Sequence, residues 1–91
     1  MERRPYSRSP LARLRKDAGM TQSDACKLLG VKNKQHLSHI EVGRVMASSG
    51  IMKAMATAYG VGPGEVLRAA TETFEAGVLL ERHRRRQLKV A

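Results

Sequence analysis

The chain has 91 residues and a formal net charge of +9, from 17 Lys and Arg against 8 Asp and Glu. That length makes one domain with a modest core, and the charge excess favours a polyanionic partner, nucleic acid before an acidic membrane surface. No apolar run approaches the roughly eighteen residues of a membrane span, and Cys26, the one cysteine, excludes an intrachain disulfide and points to a reducing cytoplasm.

Residues 1–8 carry Arg3, Arg4 and Arg8, lack periodicity and read as a flexible basic arm. No apolar stretch follows them, so they are not expected to be a signal peptide. Ser9-Pro10 reads as an N-cap followed by proline at the first helical position. Leu11, Leu14 and Ala18 have helical spacing, and Gly19 stands where a helix stops. Thr21 is the next N-cap, with Asp24 completing a weak capping box. This second helix is expected to run to about Leu29 and end at Gly30. Asn33 caps a third, through about Ile40, with Leu37 and Ile40 inward and Gly43 as its stop. Ser48 or Ser49 opens a fourth, with Ile51, Met55 and Ala58 on one face, Met52 and Tyr59 beside it, and Gly60 at its end. Pro63 and Glu65 start a fifth, whose apolar row is Leu67, Ala70, Phe74 and Val78. Gly77 interrupts that row at a cost of ~1 kcal/mol relative to Ala. Beyond it the chain either continues as helix or forms a short strand. With Tyr6, Tyr59 and Phe74 the only aromatic residues, the core must be aliphatic, which suits packed helices.

Charge is segregated. Arg3, Arg4, Arg8, Arg13, Arg15 and Lys16 crowd the start, and Arg82, Arg84, Arg85, Arg86 and Lys89 the end. Between Glu65 and Glu81 the acids outnumber the single base, Arg68. No Ser–His–Asp set, paired carboxylates or phosphate-loop glycine pattern is present, so no enzyme and no cofactor are expected. His36 and His39 lie three apart, with Cys26 near in sequence. A zinc site needs four ligands, usually including paired cysteines, so no metal is expected, and Cys26 reads as a small buried filler.

Two short helices joined by a glycine turn, the second polar at its N-terminal end, match a helix-turn-helix. Such helices cross closely, so the first needs a small residue at its middle; Cys26 is the candidate. Gly30 supplies the left-handed backbone of the turn. The stretches LARLRKDAGMTQ, LLGV, HLSHIEVGR and AYGVGPGEVL together make the chain resemble the phage repressor/Cro family, also called the XRE family, over about Leu11 to Leu67. Ala25 and Cys26 stand where that family usually has Leu and Ala, and the turn before Leu37 is one residue longer than the commonest spacing. The match is therefore anchored backwards from Ile40-Glu41.

The resemblance implies an all-α, five-helix, lambda-repressor-like DNA-binding domain over residues 9–70. Residues 71–91 are then a C-terminal extension, a dimerisation segment with a basic tail. Lys34, Gln35, Ser38 and His39 occupy positions similar to the family's base-reading ones, and their chemistry agrees. Lys donates to guanine O6 and N7, Gln pairs with adenine through two bonds, and Ser and His reach base edges or phosphate. The resemblance gives Gln22, Asn33, His36 and Arg44 contacts to the DNA backbone, Asn33 being a helix cap as well. Arg15 and Glu41 look similar to the family's internal ion pair, a structural feature. The row Leu67, Ala70, Phe74 and Val78 exceeds what five helices need, so it is assigned to a homodimer seam. The implied function is a cytoplasmic, nucleoid-associated transcriptional regulator, a repressor binding an inverted-repeat operator in double-stranded DNA, with no membrane partner. The alternatives are an antitoxin that binds both operator and a toxin protein, and an RNA- or protein-binding adaptor.

Overall fold

A computed structural model describes residues 9–90, with side chains through residue 86. The basic arm and the final residues of the tail, Lys89 among them, lie outside the side chains described. Five helices follow in order: α1 (Pro10–Asp17), α2 (Gln22–Leu29), α3 (Lys34–Glu41), α4 (Ser49–Tyr59) and α5 (Pro63–Val90). No strand occurs among the described residues, so of the two expectations for the segment after Gly77 the helix is the one formed.

Local chemistry sets the helix starts. Ser9 Oγ accepts from the Ala12 N–H at 3.1 Å, and Pro10 at the first helical position has no N–H to satisfy. Thr21 and Asp24 form the full reciprocal capping box, with bonds of 3.1 and 3.2 Å. Asn33 caps α3 through the His36 N–H at 2.8 Å, and Ser48 caps α4 through the Ile51 N–H at 3.2 Å. α2 ends at Gly30, whose φ of +71° turns the chain into α3; a side chain there would meet no neighbour but would strain the backbone.

The core gathers Leu11, Ala25, Leu29, Leu37, Ile40, Met55, Tyr59, Val66 and Ala70 from all five helices. Two expectations about it need correction. Ala25, not Cys26, is the small residue at the middle of α2: Ala25 is 0% exposed, whereas Cys26 is half-buried. On α5 the buried face is Val66, Ala69, Ala70 and Thr73, and the row Leu67, Phe74 and Val78 lies to one side of it. The reason is close packing: a helix pressed onto its neighbours buries its small residues, and the larger apolar ones flank the contact.

Two contacts hold α5 against the rest. Thr73 Oγ1 accepts from the Leu11 N–H at 3.2 Å, satisfying a first-turn donor of α1 that no local group reaches. Further along, backbone meets backbone. A Cβ on Gly77 would strike the Gly43 carbonyl oxygen and lie 2.6 Å from its carbon and 2.8 Å from its Cα. Gly43 itself has φ +84°, and a Cβ there would strike the Thr73 carbonyl. Gly77 is thus not a defect in an apolar row but the point where α5 crosses the loop leaving α3. Gly77→Ala should therefore destabilise by ~1–3 kcal/mol through overpacking, despite alanine's better helix propensity. Gly64→Ala, in the first turn of the same helix with open space around it, should be neutral or stabilising. Thermal melts of the two variants check this reversal of sign.

Candidate nucleic-acid interface

α3 advances about 100° per residue, so its inward and outward faces follow from which residues are covered. Leu37, Ile40 and Glu41 are buried. Opposite them stand Gln35, exposed, and His39, half-exposed; Ser38, half-exposed, and His36, exposed, lie on the two flanks, and Lys34 is exposed in the first turn. Gln35 and His39, one turn apart, stand at the centre of the outward face. Among the described residues neither they nor Ser38 spend a side-chain hydrogen bond on the protein. Asn33, Gln35, His36 and His39 also border a shallow depression of about 510 Å³ between the turn and Ile51 of α4. The residues expected to read bases are therefore brought together on one solvent-facing strip, which the Asn33 cap terminates.

Behind the strip the same helix is fastened by charge. Arg15 of α1 donates from Nε to Glu41 Oε2 at 2.7 Å and from Nη2 to Oε1 at 3.2 Å, and both residues are buried. Its remaining Nη1 donates to the Met20 carbonyl at 2.8 Å. Glu41 Oε1 also accepts from Gln22 Nε2 at 3.1 Å. That bond changes the picture of Gln22, which sequence reasoning assigned to the DNA backbone. One N–H of its side-chain amide goes to Glu41, so the side chain spans α2 and α3, while the second N–H makes no hydrogen bond among the described residues. Nothing in the local sequence signals that contact, which joins residues 19 apart.

Other expected residues fall in different places. Arg44 is exposed, three residues beyond α3, in the loop held by the glycine crossing. Of the expected dimer row, Leu67 is 51% exposed and Phe74 and Val78 are half-buried. Ala70 is 2% exposed. It is enclosed by its own chain and drops out of a surface row. No group of three or more His, Cys, Asp or Glu that could hold a metal occurs among the described residues.

Ionisation is perturbed at three sites. The Thr21 backbone N–H, donating to Asp24, holds that carboxyl below its ordinary value. Burial pushes the Cys26 thiol up, and the charge of Glu41 adds to the rise, so the thiol is a poor nucleophile near neutral pH. Burial pushes the Tyr59 phenol up to about 12, again with Glu41 adding, and its buried hydroxyl has no hydrogen-bond partner among the described residues.

A family model described as a helix-turn-helix domain matches residues 10–70. That span includes the α2–turn–α3 unit and Glu41 with both of its partners, Arg15 and Gln22. No curated protein and no solved structure gives a significant match to the chain.

The geometry at Glu41 makes a stability prediction. Glu41→Ala leaves the Arg15 guanidinium buried without its carboxylate, a loss of ~3 kcal/mol. The melting temperature should fall markedly, while DNA binding by the folded fraction changes less. An unaltered melting temperature would show that the pair does not hold α1 to α3.

Proposed function

The chain belongs to the helix-turn-helix domain family, and we propose that it is a sequence-specific DNA-binding transcriptional regulator, a repressor that binds an inverted-repeat operator as a homodimer in the cytoplasm. The observation that carries this reading is the outward strip of α3. It combines donors and acceptors suited to base edges with rigid anchoring from behind. A polar face with no work to do inside the protein, on a helix fixed to α1 and α2 by a buried ion pair, suits entry into a major groove.

In this reading Lys34, Gln35, Ser38 and His39 face bases. Asn33, His36 and Arg44 face phosphates at either end of α3. The Gln22 side chain gives one amide N–H to Glu41, and its second amide N–H and its backbone N–H, at the N-terminus of α2, are the groups for a phosphate. Specificity rests most on Gln35, the residue at the centre of the strip with two-bond complementarity to adenine. Gln35→Ala should weaken binding to the selected operator by ~1–3 kcal/mol and leave random DNA nearly unaffected. Selection of bound sequences from a random pool, followed by titration of both DNAs, measures this; equal losses on both would remove Gln35 from the base readers.

The homodimer is supported by the exposed flank of α5. Leu67, Phe74 and Val78 form an apolar strip beside the core-facing residues, without Ala70. Two-fold pairing there would set two copies of α3 about one DNA turn, ~34 Å, apart. Phe74→Glu should yield a folded monomer by sedimentation. A variant that still dimerises, or a parent chain that is monomeric at high concentration, would remove this strip as the seam.

A further inference from the structure

The distal half of α5 leaves the core: every residue from 79 to 86 is exposed. Yet it does not leave the loop after α3. Gly77 lies against Gly43, and just beyond that crossing a cleft of about 500 Å³ opens between loop and helix. Its walls carry Arg44 from the loop and Arg82 and Arg85 from α5, its floor Phe74 and Val78. Three guanidiniums from two separate elements thus converge on one concavity.

The only carboxylate there, Glu81, is solvated and sits 3.8 Å from both Arg84 and Arg85. Exposed pairs at that distance hold little. Arg44 and Arg82 have no carboxylate partner among the described residues. An excess of forked donors is suited to a singly charged tetrahedral anion, because guanidinium binds phosphate oxygens through two parallel bonds; with Phe74 and Val78 covered in the dimer proposed above, the anion sits on the arginine side of the cleft, beyond that seam.

We propose that this cleft binds a phosphate of the DNA backbone, making α5 a second DNA-contacting element through Arg82 and Arg85. The proposal rests on the DNA-binding reading above. DNA is favoured over an acidic peptide by position. Arg44 stands three residues past the end of α3, and a helix seated in a major groove about 12 Å wide is bordered by phosphates on both sides. The glycine crossing fixes α5 to that same loop, so the two arginines keep register with the reading helix.

The test uses the full chain and a labelled random-sequence duplex, with binding followed by anisotropy across a KCl series. The parent should bind with a steep dependence of log affinity on log salt. Arg82→Gln/Arg85→Gln should lower that slope by about 1, the loss of one phosphate contact, and Arg44→Gln by no more than that, with equal weakening on any sequence. Arg84→Gln/Arg86→Gln removes the same charge from the same helix outside the cleft lining and should change the slope by less than half as much. Sedimentation and helicity of all variants should match the parent, and Arg44→Gln, which lies off α5, tests the cleft without touching that helix. Equal slopes for the two double variants would mean diffuse attraction and overturn the cleft. So would an unchanged slope in Arg82→Gln/Arg85→Gln. A parent chain that binds no duplex at all would instead overturn the DNA-binding reading, and the cleft with it.

Discussion

The placement of α3 depends on one buried carboxylate. Glu41 takes two bonds from Arg15 of α1 and one from Gln22 of α2, so the last residue of α3 is fixed to both preceding helices. A buried ion pair of this kind need not add net stability, since desolvating both charges offsets most of their attraction. What it adds is orientation. Apolar contacts between Leu37, Ile40 and the core would tolerate some rotation of an eight-residue helix; a fork of two parallel bonds does not. With Glu41 fixed, residues half a turn away have only one direction to face, and that direction is solvent.

Polar side chains in this small molecule therefore divide by position along the same helix. Those facing inward bond to the protein: Arg15 donates from all three of its nitrogens, and Glu41 accepts on both oxygens. Those facing outward keep their bonding capacity for a partner. The caps occupy the boundary between the two groups. Asn33 holds the first turn of α3 while lying exposed beside Gln35 and His36. Tyr59 departs from this pattern, its buried phenol having no hydrogen-bond partner among the described residues. Loss of one such bond is tolerable where the ring fills the core beside Ala25 and Met55.

What was legible in the sequence was local. Ser9, Thr21, Asn33 and Ser48 cap because each hydroxyl or amide satisfies N–H groups two or three residues on, and Gly30 and Gly60 stop helices through their own backbone. Helix number, order and approximate ends follow from such signals, as does the polar strip of α3, which needs only the 3.6-residue period. The contacts that were not legible join distant positions. Nothing near Gly77 announces that Gly43 lies beneath it, and Gly77 therefore resembles a flaw. The choice of Ala25 over Cys26 depends on a rotation of α2 that the neighbouring helices set. Gln22 has the chemistry of a phosphate ligand; only the folded chain shows that Glu41 claims its amide first. On α5 the large apolar residues drew attention away from the small ones, although contact between helices at short range is made by the small ones.

The bond from Leu11 to Thr73 has a consequence for the order in which the protein is made. The two residues are 62 positions apart, yet the bond completes the first turn of α1, which is made before the other four described helices. Until α5 has been synthesised, that turn carries an open N–H and the Leu11 side chain lacks part of its cover. A newly made α1 is therefore a short helix without its final support, since eight residues are too few to persist alone in water. Synthesis runs from α1 to α5, but consolidation of the first turn waits for α5.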